Sequence, residues 1–183
     1  MQLLSVNVGR ERSIENAKPS GKTGIYKIPV DGMVRVTTEG VSEDVICDTE
    51  NHGGVDQAVY IYGTPDYEWW SNALGKEIAP GTFGENLTIT EFESARALIG
   101  DRFRIRSVIL EVTAPRVPCV TLSVRMGDPS FAKRFREAER PGVYCRVVQG
   151  GLISCGDAVS LERYAGETVS ALQMFRDFYE HQR

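Results

Sequence analysis

Apolar residues in the first half of the chain recur at every second position in short runs, and each run is closed by a turn signal. "LLSVNV" (3–8) alternates up to Gly9, and "GIYKIPV" (24–30) leads into Asp31-Gly32, a dipeptide suited to a tight hairpin. "MVRV" (33–36) alternates again, and "AVYIY" (58–62) is dense in the β-branched and aromatic residues that strands favour. The period then lengthens. After Pro65, "DYEWWSNALG" sets Tyr67, Trp70 and Leu74 on one helical face and stops at Gly75. Further on, "LTI" (87–89), "RFRIRSVILEVTAP" (102–115), "GVYCRVV" (142–148) and "DAVSLERY" (157–164) read as strands. "DPSFAKRFREA" reads as a helix with Asp128 as N-cap and Pro129 at the first helical position. "ETVSALQMFRDFYEHQR" reads as a final helix. About eight to ten short strands, three helices and no β-α-β alternation predict a mostly β fold, a barrel or sandwich of largely antiparallel strands with peripheral helices. The expected organisation is one β domain over residues 1–165, with a helix at 166–183 packed on it or used for association.

Composition narrows the function classes. With 21 basic and 25 acidic residues among 183, the net charge is −4. That balance speaks against a general nucleic-acid binder and leaves room for a local basic pocket. "MQLLSVNVGRER" lacks the long apolar core of a secretory signal, and no stretch has the apolar length to span a bilayer. The four cysteines (Cys47, Cys119, Cys145, Cys155) form no C-x-x-C pair. The expectation is a cytoplasmic protein with reduced thiols and no membrane partner.

Within "TAPRVPCVTL", Cys119 lies just past an apolar strand, after Pro118 and three residues beyond Arg116. Pro115 and Pro118 stiffen the approach, and "VTLSVRM" can begin a short helix. A thiol near a helix start and a cation ionises easily and then serves as a nucleophile or a metal ligand. The other reading is a cysteine that fills space at a strand end. In "DVICDTENHGGVDQAVYIY", His52 precedes Gly53-Gly54 and is flanked by Asp48 and Asp56. This loop suits an anion met by backbone N–H groups and His52, or a glycine turn in which His52 caps a carbonyl. "PGTFGENLTI" offers Glu85, read as holding the loop, and Asn86, read equally as a ligand contact or a loop brace. On "GVYCRVVQGG", Tyr144 and Arg146 share one strand face and Cys145 takes the other, so Arg146 points either into the fold toward an anion or out to water.

The segments "KTGIYKIPV", "HGGVDQAVYIY" with "YEWW", "PGTFGENLTI", "IGD", "PRVPC" and "GVYCRVVQGG" occur in an order that resembles the MOSC domain family, named for the C-terminal part of molybdenum cofactor sulfurase. The match is to the small stand-alone bacterial type and spans roughly residues 20–160. The resemblance implies a β-barrel-like fold and a molybdenum cofactor (molybdopterin), with Cys119 at the family's metal-ligand or sulfur-carrier position. It implies that Arg116, His52, Gly53, Gly54, Asn86 and Arg146 contribute to the cofactor pocket. It also implies an oxidoreductase that reduces N-hydroxylated small molecules with electrons from a separate donor protein; the alternative is a non-catalytic carrier of the cofactor or of a Cys119 persulfide. The chain departs from the family pattern at Glu43, where a glycine often precedes the aspartate, and at Thr121, where a lysine often follows the cysteine.

Overall fold

The computed structural model describes residues 1–17, 21–48 and 52–181. In chain order the strands are β1 (Leu3–Val8), β2 (Arg12–Ser13), β3 (Lys22–Thr23), β4 (Ile28–Pro29), β5 (Val34–Thr37), β6 (Gly40–Val41), β7 (Val59–Gly63), β8 (Leu87–Ile89), β9 (Arg102–Ile105), β10 (Val108–Pro115), β11 (Val143–Gln149), β12 (Gly151–Ile153) and β13 (Val159–Glu162). The helices are α1 (Thr64–Leu74), α2 (Val120–Met126), α3 (Phe131–Ala138) and α4 (Ala171–Glu180). Eight strands form the main sheet in the order β13-β9-β10-β11-β7-β8-β1-β4, beside a sheet of β12-β5-β6 and the β2–β3 pair.

Two expectations need correction. The fold is mostly sheet, but the ladders do not close into a barrel among the described residues. A single antiparallel bridge, Gln2 to Ala158, links the start of β1 to the start of β13. The main sheet is also mixed, because β7 and β8 run parallel. The sequence therefore contains one β-α-β unit, β7–α1–β8: parallel neighbours need a crossover, and α1 supplies it.

Alternation along β7 explains where the cores sit. Val59 and Ile61 enter the aliphatic core with Leu3, Leu87, Phe103 and Val143. Tyr60 and Tyr62 face the other way, into an aromatic cluster with Trp70 of α1, Leu122 of α2, Phe135 of α3 and Phe175 of α4. α1 starts with Pro65 in its first turn and ends at left-handed Gly75. α3 begins two residues later than expected, with Ser130 at the cap position, while Asp128 accepts from the Ser130 backbone N–H at 2.8 Å. Ser130 therefore follows an Asx-type turn that takes up the Asp128 carboxylate. The final helix is shorter than its periodicity suggests. Ser170 caps it by accepting from the Gln173 N–H, Ala171 and Phe175 seal its inner face, and Gln182 and Arg183 lie outside the described residues.

Candidate functional site

Cys119 is placed by the end of β10 and the start of α2. The two prolines stop the strand, and Cys119 takes an extended conformation (φ −122°, ψ 170°) as the cap residue of α2, which closes at left-handed Gly127. Its carbonyl accepts from the Leu122 N–H at 3.0 Å. The side chain is half-buried in a cleft. Burial works against its ionisation, but the His52 hydrogen bond, the Arg116 charge and the Leu122 N–H outweigh it and bring the thiol down to about 5. At neutral pH the group is a thiolate.

His52 reaches this thiol from a loop folded on itself. Its N–H donates to the Asp48 carbonyl at 3.0 Å, and its Nε2 lies 4.0 Å from Asp48 Oδ2. Gly53 follows with φ +83° and lines the cleft; a Cβ there would come 3.0 Å from Ile46 Cδ1. Gly54 does not share the site. It is exposed, faces open space and precedes the 3₁₀ turn Val55–Gln57.

Arg116 is only 5% exposed. Its Nη1 donates to the Phe83 carbonyl, its guanidinium lies 5.0 Å from the centre of the Tyr60 ring, and its Nε has no partner. Burial opposes its charge, yet Tyr144, Tyr60 and Cys119 hold it protonated above its ordinary value. Asn86 lines the cleft as a brace. Its Oδ1 accepts from the Tyr60 N–H at 3.0 Å, and its Nδ2 donates to Asp44 Oδ2 at 2.8 Å. Glu85 lies outside the cleft lining, where its Oε1 accepts from Tyr67, Thr88 and the Gly81 N–H, so it holds the loop.

Arg146, like Gly54, is not among the residues that line the cleft. It shares a face of β11 with Tyr144, and Tyr144 lines the cleft. Two residues along, Arg146 has passed the cleft edge. It is 45% exposed and pairs with Asp56 at 3.0 Å and Glu111 at 3.8 Å.

Two residues that sequence reasoning did not select complete the wall. Lys27 is buried and ion-paired with Asp44, whose other oxygen accepts from the Gly9 N–H at 2.7 Å. Glu43 carries the backbone into Asp44 with φ +68°, in the left-handed region that favours glycine. The usable signal was a lysine inside the apolar run "GIYKIPV". Gly24 lets the wall close up, since a Cβ there would overlap the Val45 carbonyl oxygen at 1.8 Å.

Together these residues enclose a cleft of ≈ 660 Å³, part of it open to solvent. Among the described residues, three of its buried polar atoms have no partner: Arg116 Nε, Thr121 Oγ1 and Gln57 Oε1. Lys22, Lys27 and Arg116 bring three positive charges to the lining, set against Asp44, Asp48 and the Cys119 thiolate. Unpartnered polar atoms, the Arg116 guanidinium and a thiolate together suit a polar ligand that offers a site to sulfur.

The MOSC domain model matches residues 48–160. YflK, an uncharacterized protein of Bacillus subtilis (strain 168), is 33% identical over 87% of this chain and 72% of its own length. A protein named "Reductase" from Gibberella moniliformis is 34% identical over 87% of this chain, which corresponds to 29% of that much longer protein. The crystal structure of YiiM from Geobacillus stearothermophilus superimposes with a TM-score of 0.79 at 26% identity, covering 99% of this chain and 85% of that one. With the fold, the ordered motifs and these likenesses in agreement, the chain belongs to the MOSC domain family.

Proposed function

We propose that this protein is a reductase that binds a molybdenum cofactor in the Cys119 cleft and reduces N-hydroxylated compounds with electrons from a separate redox protein. The observation that carries this reading is Cys119, beside Arg116 and His52, opening onto a cleft where buried polar atoms lack partners among the described residues, with its thiol held down to about 5. Among the described residues, no group of three His, Cys, Asp or Glu side chains is arranged to hold a metal ion. A metal ligated by Cys119 therefore takes its other ligands from the group that carries it, as a pterin dithiolene does. The reductase-named relative supports the reaction class.

Each residue has a task in this reading. Cys119 ligates the metal. His52 and Arg116 keep its sulfur deprotonated. Arg116 Nε and the Thr121 hydroxyl are free to hydrogen-bond a polar ring or phosphate oxygen. When bound, the cofactor supplies a two-electron centre able to accept oxygen. Asn86 and Asp44 hold the wall in register.

The test is turnover of a hydroxylaminopurine or an amidoxime, with a chemical reductant, by protein purified from a host that makes the cofactor. The wild type is expected to form the amine or amidine, and Cys119→Ala to fall to background. Equal turnover in the two proteins contradicts the mechanism.

A further inference from the structure

Reducing an N-hydroxyl group consumes protons as well as electrons. In balance, R–NH–OH + 2 e⁻ + 2 H⁺ gives R–NH₂ + H₂O. The N–O bond breaks, nitrogen is reduced, the donor protein is oxidised, and the oxygen leaves as water. We infer that Lys27 is the acid that protonates the departing oxygen, with Asp44 and Asn86 as its positioning residues; this rests on the reductase reading above. The second proton comes from water in the open cleft, and solvent re-protonates Lys27 between turnovers.

The assignment follows from what surrounds Lys27. Its side chain is 8% exposed and that of Asp44 is 6% exposed. A lysine is almost never buried without a specific reason, and a buried ion pair is a poor stabilising device because both charges lose their water. Lys27 nevertheless sits in the cleft wall rather than in the sealed core. The ammonium has three N–H donors, and Asp44 Oδ2 takes one. Asn86 Nδ2 and the Gly9 N–H fix the same carboxylate, so the amine is held in place.

Five other proton carriers of the cleft are committed or weaker. The Tyr60 hydroxyl donates to the Pro141 carbonyl at 2.8 Å. Burial pushes the Tyr144 phenol up, which makes it a poorer acid. Arg116 keeps its proton, His52 is engaged with the Cys119 thiol, and Lys22 is tied to Glu11 at 2.7 Å on the rim. Lys27 itself is pulled below the ordinary lysine value, chiefly by burial. Asp44 and Glu85 act to raise it and Arg116 to lower it; Cys47, on the loop that carries Asp44, also lies within its field.

Three variants test this in the molybdenum-loaded protein. Lys27→Arg keeps the charge and the pairing with Asp44 but holds its proton. Lys27→Met removes the amine and decides the matter if arginine does not fit. Both are expected to lose about 10²-fold or more in kcat, the scale of general acid catalysis, with KM changed by only a few-fold and molybdenum content retained. Asp44→Asn removes the group that holds the ammonium charge, so the limb where kcat falls with rising pH moves to lower pH. A readout independent of turnover is NMR of protein labelled with ¹³Cε-lysine. The signal that disappears in Lys27→Met is expected to titrate below the other lysines and to move lower still in Asp44→Asn. A Lys27→Arg enzyme with at least half the wild-type kcat, or a Lys27 signal that titrates with the surface lysines, overturns the assignment. No turnover in the wild type overturns the reductase reading and this inference together, whereas turnover in the wild type with Lys27→Arg unimpaired overturns this inference alone.

Discussion

Asp101 and Arg116 are both buried charges, and they differ in how many of their bonds are filled. Asp101 is fully enclosed, and every bond it needs is made. Its Oδ2 accepts from the Leu98 N–H at 2.9 Å and from Arg163 at 2.7 Å, and its Oδ1 accepts from the Tyr164 N–H at 2.9 Å. That carboxylate ties the turn before β9 to the chain leaving β13. Arg116 is nearly as buried, but among the described residues its Nε has no partner, and Thr121 Oγ1 and Gln57 Oε1 in the same cleft are also unpartnered. A buried polar group without a partner costs about 1–3 kcal/mol. A cluster of such groups around one opening suits a ligand, whereas the filled bonds of Asp101 make a joint of the fold.

The comparison can be broken at either end. The largest expected effect is on thiol chemistry. At pH 6 an ordinary thiol near 8.5 is almost wholly protonated, while Cys119 at about 5 is mostly thiolate, about 10²-fold more of the reactive form. Alkylation of Cys119 by iodoacetamide, followed by mass spectrometry, should stay fast from neutral pH down to about 6. It should then fall as the pH drops through about 5, where the sulfur takes up its proton. His52→Ala, which removes the hydrogen bond that favours the thiolate, should move that midpoint upward.

The second effect is on stability. Asp101→Ala leaves two backbone N–H groups without their acceptor and Arg163 with only the Arg96 carbonyl, and should lower the unfolding free energy by about 3 kcal/mol in urea melts. Cys119 alkylation should be unchanged in the folded variant. The third effect is smaller and of opposite sign. Thr121→Val removes a buried hydroxyl that bonds nothing, so the ligand-free protein should gain up to about 1 kcal/mol while retaining less cofactor. A Thr121→Val protein that is destabilised without ligand would mean that the hydroxyl already has a partner and that the distinction drawn here fails.

Much of this arrangement could be read from the sequence. Alternation located β1 and β10, β-branched and aromatic content located β7, Gly75 ended α1 where expected, and the proline-flanked Cys119 fell at a strand-to-helix junction. What alternation does not encode is which strand becomes a neighbour. "AVYIY", α1 and "LTI" were each visible, but their parallel pairing depends on α1 packing through Tyr67 and Trp70 into the aromatic cluster. The same limit explains Arg146. Its face was evident, but how far β11 extends past the cleft was not. Lys27 was missed because its burial depends on Asp44 arriving from another loop, a contact that local pattern cannot carry. Gly54 was grouped with Gly53 by adjacency, yet consecutive residues in a turn face different surroundings.

The most direct test of the central claim is the molybdenum content per chain, measured by elemental analysis on protein purified under reducing conditions from a host that makes the cofactor, with Cys119→Ala prepared alongside. The account predicts close to one molybdenum per wild-type chain and almost none in the variant. A wild-type protein without molybdenum, from a host whose other molybdoenzyme is fully loaded, would contradict it.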